Sequence, residues 1–104
     1  MILIRISDNN EQEIEKIAEM LLEKRLIMDV IILRGIERWE HHDDSIVKSE
    51  VTLLTAKTKA LLFPKIDKIL RKAYPDAMPE LFSLPIVNMD WEQSKHLVEE
   101  VIPT

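Results

Sequence analysis

The densest run of metal-ligating side chains in the sequence is His41-His42-Asp43-Asp44. Imidazole nitrogens suit zinc, copper and nickel, and carboxylate oxygens can complete a mixed nitrogen and oxygen set. Adjacent residues of an extended strand point to opposite faces, so His41 and His42 converge only in a turn. The same four residues also suit a solvated hairpin tip, and a divalent cation bound there needs further ligands from a neighbouring subunit. Asp29 interrupts the otherwise apolar run from Leu26 to Leu33. A buried carboxylate needs a cation or backbone donors, so Asp29 is expected either to pair with a Lys or Arg at an edge or interface, or to face a pocket. Glu80, beside Pro79 at the start of a strand, has the same two readings. Trp39 and Trp91 read as packing or interface anchors, and His96 as a surface or subunit-contact residue.

Other chemistry is excluded more simply. With no cysteine, there is no thiol nucleophile, disulfide, Cys-ligated zinc or iron–sulfur cluster. Ser7, Ser45, Ser49, Ser83 and Ser94 lack the Gly-x-Ser-x-Gly setting of a nucleophile elbow. A single glycine leaves no Gly-rich phosphate loop. No nucleophile with its base, and no acid–base pair, is assembled by spacing, so an enzyme is not expected. A net charge of −5, from 14 basic and 19 acidic residues, argues against nucleic-acid and anionic-membrane partners. No apolar run approaches the ~20 residues of a bilayer span. The opening Met1 to Ser7 has no basic region or cleavage site of a signal peptide, and a cytoplasmic protein is the expectation. At 104 residues and 46% hydrophobic, one folded domain over residues 1–104 is expected.

The elements that must position these residues follow from periodicity. Met1 to Ile6 reads as a strand, closed by turn and cap formers from Ser7 to Asn10. Ile14, Ile17, Ala18, Leu21 and Leu22 mark one stripe of an amphipathic helix over residues 11–25. Leu26 to Leu33 reads as a mostly buried strand, continuing to Trp39. Residues 46–57 form a second strand, with Val51, Leu53 and Thr55 on one face and Thr52, Leu54 and Ala56 on the other. The two make a long β-hairpin with its polar tip at residues 41–45 and Gly35 as a bulge or bend. A helix from near Leu62 to Ala73 tolerates Pro64 only in its first turn. Residues 81–87 give a strand in which Pro85 suits an edge or an end. Asp90 with Gln93 forms a capping-box variant for a closing helix that buries Leu97, Val98, Val101 and Ile102. The order β-α-β-β-α-β-α is an α+β fold, the ferredoxin-like split β-α-β with an added C-terminal helix. Two helices cover one face of its sheet. The other face, with Val30 to Leu33 apolar on both sides, calls for an oligomer.

The sequence also resembles the CutA-type divalent-cation tolerance proteins. The likeness is carried by the opening Met1-Ile-Leu-Ile, by Leu22-Glu-Lys-Arg-Leu26, by Gly35, and by Leu53-Leu-Thr-Ala-Lys57-Thr58. It continues through Tyr74-Pro75, Pro79-Glu80-Leu81 and Leu84-Pro85-Ile86. The resemblance implies a cytoplasmic homotrimer linked to metal tolerance, with hairpins and last helix packed between subunits and a divalent cation or small ligand in the clefts. On that reading Asp29, Lys57, Tyr74 and Glu80 line the ligand cleft, beside the metal candidates His41, His42, Asp43 and Asp44. Scaffold positions match the family pattern while cleft positions depart from it. Asp29 stands where the family commonly has Cys, and Ile31 where it has Asn. Tyr74, Asp76 and Ala77 replace the His, Tyr and Glu of its His-Pro-Tyr-Glu segment. A soft-ligand copper site is therefore not expected, and an oxygen and imidazole site, or none, is what remains. The competing reading is a trimeric scaffold, PII-like in signalling or built to bind a protein partner, with no metal.

Overall fold

The computed structural model describes residues 1–104. The chain runs β1 (Ile2–Asp8), α1 (Glu11–Glu23), β2 (Met28–His42), β3 (Ser45–Thr58), α2 (Phe63–Ala73), β4 (Glu80–Pro85) and α3 (Trp91–Glu100), with one 3₁₀ turn, Ala60–Leu62, leading into α2. The four strands form a single antiparallel sheet in the order β2-β3-β1-β4, the order of a ferredoxin-like fold. Ile2, Ile4 and Ile6 of β1 and Leu54 and Ala56 of β3 point to one face. There they meet Ile14, Ile17, Ala18 and Leu21 of α1 and Ile66 and Leu70 of α2 in one core cluster. Leu97 and Val101 bring the C-terminal segment into the same core. The stripe read for α1 is correct except at Leu22, which is 43% exposed.

Side chains fix the helix ends. The Asn10 Oδ1 accepts the backbone N–H groups of Gln12 and Glu13 at 3.0 and 3.3 Å, satisfying donors that the first turn of α1 leaves free. At the other end Arg25 N–H donates to Leu22 O and Leu26 N–H to Leu21 O, the paired bonds of a Schellman motif. That motif puts its central residue in the left-handed region, and Arg25 sits there at φ 55°. Glycine takes this conformation without the Cβ clash of other residues. Arg25→Gly is therefore expected to stabilise the fold by about 1 kcal/mol, read as a higher denaturant midpoint with unchanged slope.

The reading of Leu26 to Leu33 as a mostly buried strand is corrected. Leu26, Ile27 and Met28 are buried, but Leu26 and Ile27 belong to the loop that enters the sheet, and β2 is an edge strand. The ladder with β3 is broken between Met28 and Ile31, where Asp29 turns through φ 55°. Aspartate tolerates this left-handed bulge better than most residues, and the bulge places its carboxylate in solvent. Beyond it, Val30 and Ile32 pack on the core, while Ile31 and Leu33 face outward, 58% and 45% exposed. A second break lies between Leu33 and Ile36. Gly35 occupies it at φ 67°, as its placement in the hairpin implied.

β1 pairs with β3 only as far as Asp8 and Thr52. From Ile36–Val51 outward, β2 and β3 pair with each other alone, a two-stranded ribbon that gives the protomer its long axis of 47 Å. Such ribbons are marginal in water by themselves. This one carries Trp39, Ile46 and Val47 exposed at 58%, 62% and 43%.

Candidate functional site

The chemistry-bearing residues fall into four places. At the ribbon tip, His41 and His42 remain in β2, paired with Ile46 and Ser45. The turn is confined to Asp43 and Asp44, with Asp43 at φ 55°. The tip is thus shorter than the five-residue loop read from sequence. Because both histidines are still in a strand, they project to opposite faces. No three His, Asp or Glu side chains of one protomer are grouped so that they could hold a metal ion. The donors of a single chain therefore do not by themselves make a metal site.

The four cleft residues suggested by resemblance do not share one cleft within the protomer. Asp29 and Lys57 do meet, Nζ to Oδ2 at 3.4 Å, and Lys57 also donates to the Gln93 carboxamide oxygen at 3.4 Å. Asp29 is therefore paired and solvent-facing, not buried in a pocket. The contact explains half of the capping box as well. The Asp90 carboxylate accepts the Gln93 N–H at 3.2 Å, but the Gln93 side chain turns to Lys57 and so ties α3 to the end of β3.

Glu80 lies on the open face of the sheet, at the far side from Lys57. Its carboxylate accepts from the Arg38 Nη2 at 2.5 Å, and Glu40 takes the same nitrogen at 2.8 Å. Next to them a shallow depression of about 180 Å³ includes Arg5, Ser7, Ile36 and Leu53. The Arg5 guanidinium lies 5.1 Å from the centre of the Phe82 ring. Its Nε is enclosed and has no acceptor, an uncommon state for a buried donor. Around this group the face is apolar, with Ile31, Leu33, Ile36, Phe82 and Leu84 all exposed at 36% or more.

Tyr74 occupies the fourth place, and sequence reading missed its companions. Helices α1 and α2 cross the sheet antiparallel, so the start of α1 lies beside the end of α2. There the Tyr74 hydroxyl donates to the Glu13 Oε2 at 2.6 Å. Together with Asp8, Asn10, Ile17, Ala77 and Pro79 they line a cavity of about 310 Å³. The hydrogen bond from Tyr74 holds the Glu13 carboxyl below its usual range. Burial first, then the bond to Glu13 and the charges of Glu13 and Asp8, push the phenol up to about 12. Tyr74 is the only tyrosine, so its titration is directly visible. Phenolate absorbance is expected to rise with a midpoint near 12, and Glu13→Gln to move the midpoint toward 10. Between those values the folded state keeps a proton that the unfolded state loses, so stability falls as pH rises through this window. The one sequence signal for this cavity was the Asp8-x-Asn10 cap lying a helical turn before Glu13.

A ferredoxin-like α+β protomer with a projecting β2–β3 ribbon, an open apolar sheet face and a docked C-terminal helix defines a class, and comparison with known proteins supplies its family. The CutA1 divalent ion tolerance protein family model matches residues 2–100; the chain belongs to this family. The divalent-cation tolerance protein CutA of Thermus thermophilus is 29% identical over 94 residues, 86% of this chain and 91% of that protein. The solved structure of the divalent cation tolerance protein Cut A1 from Thermus thermophilus superimposes with a TM-score of 0.85 at 28% identity, covering 97% of this chain and 99% of that one. The fold is shared with the structure described as the periplasmic divalent cation tolerance protein CutA from Archaeoglobus fulgidus, with a TM-score of 0.86 at 24% identity and coverage of 98% and 100%. No helix is long and apolar enough to cross a membrane.

Proposed function

We propose that the protein is a cytoplasmic homotrimer that acts in the response to divalent metal ions by binding, not catalysis, with its ligand held where protomers meet. The observation that carries this reading is the open sheet face. Ile31, Leu33, Ile36, Phe82 and Leu84 form an apolar surface larger in character than the scattered exposed residues of a monomer, and the two-stranded ribbon beside it needs a neighbour to pack on. The enclosed Arg5 Nε without an acceptor supports the same reading, since a second protomer can supply one. Family membership adds divalent-cation tolerance as the biological setting.

A cation in this account is held between protomers, with His41, His42, Asp43 and Asp44 of more than one chain as its ligands and Asp29, Lys57, Tyr74 and Glu80 as cleft candidates. Imidazole and carboxylate without thiolate favour zinc, nickel or manganese over copper(I). Calorimetric titration of the metal-stripped protein with copper(II), zinc, nickel and manganese tests this. At least one is expected to bind more tightly than ~100 µM, about −5.5 kcal/mol, and His41→Ala with His42→Ala is expected to abolish it. If none of the four reaches that affinity, the metal-binding part of the reading fails.

A further inference from the structure

The outward face of α2 has no part in the assembly reading, because the helices cover the side of the sheet opposite its open face. Ile66 and Leu70 turn inward and are fully buried. Lys65, Lys68 and Lys72, at i, i+3 and i+7, then share one exposed stripe. Leu61, a turn before Lys65 and 77% exposed, stands at its head. The charge of this stripe runs against that of the chain. Helix α2 carries four cations and a single acid, and that acid, Asp67, is already paired with Arg71 at 3.0 Å. No carboxylate lies within 4.0 Å of any of the three lysines, in a chain with 19 acidic residues and a net charge of −5. We infer that the stripe docks a narrow acidic segment of a protein partner, a helix with carboxylates at the matching spacing and one apolar residue against Leu61.

Charge complementarity sets the sign of the occupant, and α1 sets its width. Helix α1 lies beside α2 on the same face of the sheet, and packed helices are ~8–10 Å apart. It exposes Glu15, Glu19 and Glu23, and neither Glu19 nor Glu23 is paired with a cation. A nucleic-acid duplex or an anionic membrane laid on α2 covers α1 as well and meets these carboxylates. A membrane-surface helix also needs a free apolar face, and that of α2 is spent on the core. A single helix avoids α1. Running antiparallel to α2, it meets Lys72, Lys68 and Lys65 with glutamates at i, i+4 and i+7, and Leu61 with an apolar residue at i+11.

A blocked, labelled peptide of about 18 residues with this pattern, long enough to hold a helix, is the probe. Its fluorescence anisotropy is titrated with the full-length protein. The expected Kd is about 100 µM or tighter at ~20 mM salt, and at least about fivefold weaker at ~150 mM, where charges are screened beyond about 8 Å. Amide NMR shifts are expected at Lys65, Lys68 and Lys72 and not along α1. The triple variant Lys65→Gln, Lys68→Gln and Lys72→Gln keeps helix propensity, so its circular dichroism is expected to be unchanged while binding weakens about tenfold or more. Leu61→Ser is expected to weaken it about threefold, and Lys95→Gln, an exposed lysine on α3, to leave it unchanged. Undiminished binding in the triple variant, equal binding of a peptide with glutamine for each glutamate, or an equal loss in Lys95→Gln would overturn the assignment. Tighter binding of a DNA duplex or of phosphatidylserine vesicles would also overturn it, by giving the stripe to a broad polyanion.

Discussion

Ile31→Glu combined with Leu33→Glu is expected to convert the assembly into folded monomers. Both residues face outward from β2, 58% and 45% exposed in the protomer, on the helix-free side of the sheet. In an isolated chain the new carboxylates are solvated, and surface changes of this kind shift stability by only ~0.5 kcal/mol. In an assembled interface the same groups are desolvated without a cation, a penalty of ~3–5 kcal/mol for each uncompensated charge. Circular dichroism is expected to match the wild type while light scattering reports the mass of one chain. A variant that keeps the wild-type mass would place the protomer contact elsewhere. The paired design matters because a single substitution beside Arg5, whose Nε lacks an acceptor, could be rescued by that guanidinium.

Leu97→Ala carries the second large effect. Leu97 is fully buried and is the only buried residue of α3. A ten-residue helix is too short to persist in water on its own, so α3 stays in place through its packing. Truncation is expected to cost ~2–5 kcal/mol, which for a domain of this size lowers Tm by about 10 °C or more. Three weaker ties remain, the first being the Lys57–Gln93 bond. The Lys59 Nζ donates to the carbonyls of Val101 and Ile102 at 3.1 and 2.9 Å, and the Ile102 N–H donates to Arg25 O at 3.0 Å. Hydrogen exchange of residues 91–100 is therefore expected to accelerate more than that of β1 or β3. Uniform acceleration throughout the chain would show that α3 does not open as a separate unit.

The fold was largely legible from the residues because local signals agreed with one another. The α1 stripe, Pro64 in the first turn of α2, Pro85 at the end of an edge strand and Gly35 at a hairpin bulge each name one conformation. Leu26 to Leu33 was misread because apolar character on both faces of a strand has two causes. A strand covered on both faces is buried by its own chain; β2 is covered on one face only, and Ile31 and Leu33 on its helix-free face await a neighbour. Hydrophobicity is the same in both cases. The left-handed turn at Asp29 was equally hidden, since a carboxylate in an apolar run gives no warning that the backbone will turn it to solvent.

The site was less legible, for a reason of distance. Asp29 and Lys57 are 28 positions apart yet adjacent across β2 and β3, and resemblance alone had linked them. Glu13 and Tyr74, 61 positions apart, meet only because two helices cross one sheet antiparallel. Neither residue looks unusual on its own helix. Conversely, His41 to Asp44 are consecutive and so conspicuous, but strand alternation separates the histidines. Proximity in sequence proved a poor guide to convergence in space.

In the proposed assembly the open sheet face and the ribbon are completed by two further copies of this chain. Sedimentation equilibrium of the metal-stripped protein at micromolar concentration measures this with no assumption about shape. A single species of three times the 12.2 kDa chain mass is expected, unchanged when a chelator is present. A species of one chain mass at that concentration would contradict it, and would remove the shared clefts on which the proposed metal site depends.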